Sequence, residues 1–244
     1  MKKILSLYFL IFSSLLAGEI NIAASANVSF VLEELTKKFE QTHESIKVRV
    51  TIGSSGKLTA QIKNGAPFGI FLSADLRYPT QLYNDGIALR KPVVYAEGMI
   101  ALFSAHKRDF SKRLKLLELA EIKKIAVANP KTAPYGKAAM EAMKSIGIYK
   151  SVKSKLIYAE SVSQTLSYAT KATDLGIVAL SMLKSPRMKS FKEGVNWQAI
   201  DSSLYAPIKQ GVVLLKGSTD EYKFFYDYLL SKEAQNIFKK YGYK

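Results

Sequence analysis

The sequence predicts an α/β fold of two lobes. Each lobe holds a mixed, largely parallel sheet, and two segments cross between them. Three observations predict this. Strand-like and helix-like patterns alternate from residue 20 to the C-terminus, the order that packs helices on a parallel sheet. A long apolar stretch at residues 93–103 contains Gly98 and could carry the chain out of the first lobe, and the strand pattern at 208–215 could return it. No low-complexity tract, repeat of 20–50 residues or long linker divides the 244 residues into separate modules.

The elements follow in order. Residues 20–24 read as a short buried strand. In residues 28–39, Val28, Val31, Leu32, Leu35 and Phe39 share one helical face, with Asn27 at the N-cap position. Ile46, Val48, Val50 and Ile52 alternate with Lys47, Arg49 and Thr51, a half-buried strand. A Ser/Gly loop leads to a short helix ending near Asn64-Gly65. Residues 69–74 form another apolar strand, and 79–84 a helix that Gly86 can close. The second half repeats this order. Residues 125–128 are a strand before the turn Asn129-Pro130, and 138–146 a helix closed by Gly147. Residues 156–159 are a strand, 163–171 a helix and 176–180 a buried strand. Residues 221–230 and 234–241 are the closing helices. Lobe 1 is therefore expected in residues 19–98 and 208–244, and lobe 2 in 99–207, with crossovers near 97–104 and 205–211.

The N-terminus reads as a secretory leader, residues 1–18. Lys2 and Lys3 precede an apolar run over 4–16 broken only by Ser6, Ser13 and Ser14, and Leu16-Ala17-Gly18 ends in small residues. Cleavage after Ala17 or Gly18 would release an exported, periplasmic protein. Leu15-Leu16-Ala17-Gly18 resembles a lipoprotein processing box, but Glu19 follows where that chemistry needs Cys, so no lipid anchor is expected. The chain has no Cys, which excludes disulfides, thiolate catalysis and Cys-ligated metal. Its formal charge is +16, or +14 without Lys2 and Lys3. The lysines are spread singly and do not interleave with stacking aromatics. They read as a solvated surface that can also steer anions, not as a nucleic-acid face. His43 and His106 stand in separate polar segments with no metal-ligand spacing around them.

Four strand-to-helix junctions have the small residues that leave helix N-terminal N–H groups open to an anion. They are Ala24-Ser25-Ala26-Asn27, Ser54-Ser55-Gly56, Ala133-Pro134-Tyr135-Gly136 and Glu160-Ser161-Val162-Ser163. Pro134 has no N–H, so the first donors there are Tyr135 and Gly136. Two junctions fall in each lobe, so one small oxyanion in the cleft could be held by both. Ser54-Ser55-Gly56-Lys57 also contains Ser-x-x-Lys, the acylating motif of penicillin-binding enzymes, with Ser54 as nucleophile and Lys57 beside it. The accompanying motifs are out of order: Ser25-Ala26-Asn27 lies upstream, and Lys131-Thr132-Ala133 lacks its Gly. Nor is the loop a P-loop, since Leu58 stands where Ser or Thr is required. The favoured reading is a binding protein and not an enzyme.

Over nearly the whole mature chain the sequence resembles the periplasmic molybdate-binding proteins of ABC transporters, which have the type 2 periplasmic binding-protein fold. The residues that carry the resemblance are Gly53-Ser54-Ser55-Gly56-Lys57-Leu58-Thr59-Ala60-Gln61-Ile62 with Asn64-Gly65-Ala66-Pro67, then Phe71-Leu72-Ser73-Ala74-Asp75. Asn129-Pro130-Lys131-Thr132-Ala133-Pro134-Tyr135-Gly136, Leu175-Gly176-Ile177-Val178-Ala179-Leu180-Ser181 and Phe238-Lys239-Lys240-Tyr241-Gly242 extend it. The resemblance implies a ligand, molybdate or tungstate, and no cofactor. It implies delivery to an inner-membrane permease worked by a separate ATPase subunit, and a monomer. It places the first-loop donor on Asn27, with the Ala26 N–H beside it; a gap in that loop moves the donor to Ser25. Ser55 supplies a hydroxyl and an N–H, and Tyr135 and Val162 supply backbone N–H groups. Some members add a Tyr hydroxyl where this chain has Ala179, so that donor is absent. A receptor for another oxyanion, sulfate or phosphate, is the alternative on the same fold. An amino-acid receptor would want an Arg in the cleft, and Arg49 and Arg77 read as surface residues.

Overall fold

The computed structural model describes residues 18–244, so the leader expected at residues 1–18 lies almost wholly outside the described residues. The described residues open with three strand–helix pairs. β1 (Gly18–Ser25) passes through a 3-10 turn (Ala26–Val28) into α1 (Ser29–Thr42). β2 (Ile46–Gly53) leads to α2 (Ser55–Lys63), and β3 (Ile70–Ser73) to α3 (Arg77–Asn84). β4 (Val93–Gly98) and β5 (Ile100–Phe103) follow with one residue between them. Next come β6 (Ile125–Ala128), α4 (Pro134–Ser145), the short α5 (Tyr149–Val152), β7 (Leu156–Ala159) and α6 (Val162–Lys171). β8 (Leu175–Ala179), α7 (Leu180–Leu183), β9 (Trp197–Ala199), β10 (Ile208–Leu214), α8 (Asp220–Leu229) and α9 (Lys232–Lys240) complete the chain.

The strands form two five-stranded sheets, in the orders β2-β1-β3-β10-β4 and β7-β6-β8-β5-β9. In the first, β1 is parallel to both β2 and β3, and β10 is antiparallel to β3 and β4. In the second, β6 is parallel to β7 and β8, and β5 is antiparallel to β8 and β9. The antiparallel strands are the ones through which the chain changes sheets. β4 and β5 belong to different sheets although only Met99 separates them, and β10 brings the chain back to the first. The apolar stretch at 93–103 is thus two strands.

Each sheet is covered on both faces, which explains why its inner strands are apolar without alternation. Val28, Val31, Leu32, Leu35 and Phe39, the face expected for the first helix, are all buried with Phe225 and Phe238 from the closing helices. On the other face, Leu58 and Ile62 of α2 meet Phe71, Tyr78 and Leu82. The second lobe packs Phe103, Ile125, Val127, Met143, Ile177 and Trp197 together. β9 is a strand that the sequence pattern did not indicate; it is three residues long, too short to show a period.

One local expectation is corrected. Asn27 does not cap the first long helix. It lies inside the 3-10 turn, α1 starts at Ser29, and no side chain caps it. The Asn27 side chain has stronger tertiary partners, described below.

Candidate anion-binding site

The parallel strands of both sheets end facing one another, the place where open α/β sheets bind ligands. The four helix starts meet there. They line one small cavity: Ser25, Ala26 and Asn27 from the first junction, Gly53 to Ser55 from the second, Ala133 to Tyr135 from the third and Val162 from the fourth. Ala74, at the end of β3, completes it. No charged side chain is in this lining.

On the first-lobe side, the Ser25 and Ser55 hydroxyls are 2.6 Å apart. The Ala74 N–H donates to both, at 2.9 and 3.0 Å. This arrangement has a definite proton count. Two hydroxyl protons are present, one is used between the serines, and the other is free for an acceptor in the cavity. Ser55 is also the first residue of α2, so its N–H is one of the unpaired donors of a helix start.

On the second-lobe side, Pro134 and Tyr135 are the first two residues of α4, and Val162 is the first of α6. Ser161 caps α6 by accepting from the Gln164 N–H at 3.3 Å, and the Gln164 side chain accepts from the Glu160 N–H at 2.6 Å. This reciprocal cap satisfies the third helical N–H and leaves that of Val162 open. α4 starts hard against the end of β6. A Cβ at Gly136 would overlap the Ala128 carbonyl, so only glycine lets the Tyr135 N–H come this close to the strand ends.

The lobes touch around the cavity. The Gly56 N–H donates to the Thr132 carbonyl at 3.0 Å, and the Tyr78 hydroxyl to the Lys131 carbonyl at 3.3 Å. The Ser163 hydroxyl donates to the Ala26 carbonyl at 3.0 Å. Lys57 Nζ meets Glu160 Oε1 at 2.8 Å. In this arrangement Lys57, the base of the acyl-transfer reading, is paired with Glu160 across the cleft.

The family model of bacterial extracellular solute-binding proteins matches residues 20–244. The chain belongs to that family. The molybdate-binding protein ModA of Rhodobacter capsulatus is 36% identical to this solute-binding protein over 232 residues, covering 93% of this chain and 88% of the relative. ModA of Azotobacter vinelandii is 34% identical, covering 93% and 90%. Among solved structures, the periplasmic molybdate-binding protein of Azotobacter vinelandii matches with a TM-score of 0.85 at 30% identity, over 92% of this chain and 98% of that one. The sulfate-binding protein SubI of Mycobacterium tuberculosis matches with a TM-score of 0.72 at 12% identity, a likeness of fold alone.

Beneath the cavity of this solute-binding protein lies a buried polar network that the sequence reading missed. Gln210 on β10 is fully buried where the β10–β4 register shifts. Its Oε1 accepts from Asn27 Nδ2 at 2.7 Å and from the Tyr95 hydroxyl at 2.8 Å. Its Nε2 donates to the Tyr135 hydroxyl at 3.1 Å. Asn27 Nδ2 gives its second N–H to the Tyr243 hydroxyl at 2.9 Å. Tyr243 and Ser181 both donate to the Asn27 carbonyl at 3.0 Å. Burial pushes the Tyr135 and Tyr95 phenols well above the ordinary range and that of Tyr243 up to about 12, so all three stay neutral at physiological pH.

The structure places Ala26, Ser55, Tyr135 and Val162 in one lining together with Asn27. Both side-chain N–H groups of Asn27 are occupied, and the first-junction hydroxyl facing Ser55 is that of Ser25, the position reached with a gap. Ala74 was missed although it closes the Phe71-Leu72-Ser73-Ala74 run, because nothing in a sequence says which strand ends converge. Gln210 left little signal: it follows Lys209 and precedes Gly211 at the polar start of β10, ahead of the apolar run that begins at Val212. Other expectations are met on the surface. Arg77 is exposed, and Arg49 is exposed and pairs with Glu19. His106 is exposed, whereas His43 is half-buried because its ring stacks on Phe39 at 4.2 Å. Among the described residues no cluster of His, Asp or Glu could hold a metal cation. A larger cavity of about 590 Å³ lies elsewhere, between residues 112–115 and 198–204 of the second lobe, and none of the four helix starts reaches it.

Proposed function

We propose that this protein captures molybdate or tungstate between its lobes and hands it to an ABC permease. The observation that carries the reading is the convergence of four helix starts on one cavity with no charged side chain in its lining. The similarity to ModA proteins along the whole chain supports it. A tetrahedral dianion suits such a site, because helix N-termini and neutral hydroxyls stabilise negative charge without a counter-ion. The donors are the Ser25/Ser55 hydroxyl pair and the N–H groups of Ala26, Ser55, Tyr135 and Val162. Ala74 fixes the serine pair, and Asn27 holds the loop from below.

Selectivity follows from fixed donors. A smaller oxyanion such as sulfate cannot reach both lobes at once, and each buried donor left unpaired costs about 1–3 kcal/mol. Molybdate and tungstate are nearly the same size, so the site should hardly separate them. Contacts such as Gly56–Thr132 and Lys57–Glu160 form only when the lobes meet, so a ligand bridging the lobes favours the closed arrangement. That arrangement is what a permease with its own ATPase subunit would recognise. The leader pattern read in residues 1–18 supports a periplasmic location.

The deciding experiment is calorimetric titration of residues 19–244 with molybdate, tungstate and sulfate at fixed ionic strength. One-to-one binding of the first two, with sulfate weaker by orders of magnitude, is expected. Sulfate binding as tightly as molybdate would shift the ligand to the other oxyanions. Silence for all three from folded, ligand-stripped protein would end the oxyanion reading.

A further inference from the structure

We infer that Ser54 is an additional hydrogen-bond donor to the bound oxyanion and contributes to its selection. The inference rests on the oxyanion reading above. Ser54 immediately precedes α2 with extended backbone angles, φ −73° and ψ 147°. A serine in that position ordinarily turns its Oγ to the N–H of the second or third helical residue. Here it makes no such bond. The second helical N–H, that of Gly56, is drawn across the cleft to the Thr132 carbonyl.

The Ser54 side chain is nonetheless buried, with 3% of its surface exposed, and it lines the anion cavity. Its hydroxyl has no hydrogen-bond partner among the described residues. Asn27 Oδ1 is another buried polar atom without a partner in that lining, but a carbonyl oxygen can only accept. Ser54 is different because a hydroxyl can give its proton to an anion. Buried hydroxyls are rarely left unpaired, and an oxyanion oxygen is the partner this one lacks. Ser25 and Ser55 together have one proton to offer. Ser54 raises the hydroxyl donors to two, on the first-lobe side.

The test is titration of wild type, Ser54→Ala and Ser54→Cys with molybdate and sulfate, with thermal melts of each protein free of ligand. Cysteine keeps the shape but is a weak donor. Both variants should bind molybdate roughly 10- to 100-fold more weakly than wild type. Their ligand-free melting temperatures should be unchanged or higher, because the substitution removes a buried group that the protein does not satisfy. Wild-type affinity in Ser54→Ala would overturn the inference. So would a loss of affinity accompanied by a lower ligand-free melting temperature, which would mark Ser54 as a support of the loop. The wild-type titration separates the two levels: binding by wild type with an indifferent Ser54→Ala removes this inference alone, whereas a wild type that binds neither anion removes the oxyanion reading and this inference with it.

Discussion

Replacing Gln210 by leucine tests whether the buried network beneath the site holds the two lobes in register. Gln210 is fully buried and bonded to Asn27, Tyr95 and Tyr135, so it ties the first junction, β4 and the start of α4 to β10. Leucine has similar bulk but no amide. It would orphan two donors, one N–H of Asn27 and the Tyr95 hydroxyl, and leave the Tyr135 hydroxyl without the donor it accepts from. Two buried unpaired donors cost about 2–6 kcal/mol, and the added apolar contact returns about 1 kcal/mol. A net loss of about 3 kcal/mol is expected, which for a chain of this size lowers Tm by about 6–12 °C. Urea unfolding should show a lower midpoint at unchanged slope, since the surface exposed on unfolding is the same. Molybdate affinity should fall as well, because the residue whose backbone N–H is the proposed donor, Tyr135, rests its phenol on Gln210. A loss below about 1 kcal/mol, with wild-type affinity, would refute the claim that this network positions the site.

Two further predictions come from the surface and from the buried phenols. Lys57 and Glu160 are both about half exposed, at 54% each, so their 2.8 Å pair should add at most about 1 kcal/mol to closure. Lys57→Glu or Glu160→Lys alone should weaken molybdate binding up to about fivefold at low salt, and the double exchange should restore it; equal affinity in all four proteins would show that the pair does not latch the lobes. Tyr243, raised to about 12 in the fold against about 10 when unfolded, contributes stability that is complete below pH 10 and is lost as pH rises through 12. Stability measured across pH 8–12 should therefore fall above pH 10, with a second phase of tyrosinate absorbance that coincides with unfolding. A single phase near pH 10 in a protein that stays folded would contradict the burial of Tyr95, Tyr135 and Tyr243.

Much of the fold was legible because its elements repeat a local rule. The face formed by Val28, Val31, Leu32, Leu35 and Phe39 depends only on helical spacing, and all five residues are buried. The second junction was equally legible: Ser and Gly between an alternating strand pattern and the helically spaced Leu58 and Ile62 mark a helix start. β9 and the 3-10 turns were not legible, being too short to show a period. Asn27 failed for another reason. An Asn before an apolar face fits an N-cap, and that local preference, worth about 1 kcal/mol, gave way to two buried hydrogen bonds with Gln210 and Tyr243, 183 and 216 residues away.

The division between sequence and tertiary structure is thus one of range. By itself the sequence determined the alternating elements and the four small-residue helix starts, which rest on neighbours a few residues apart, and the exclusion of cysteine chemistry, which rests on composition. Only the tertiary structure decided that Ser25 and not Asn27 faces Ser55, that Ala74 lends its N–H to both serines, and that Gln210 joins the lobes underneath. Those contacts pair residues from different strands and helices, and their geometry exists only once two sheets have packed and closed over the same small space.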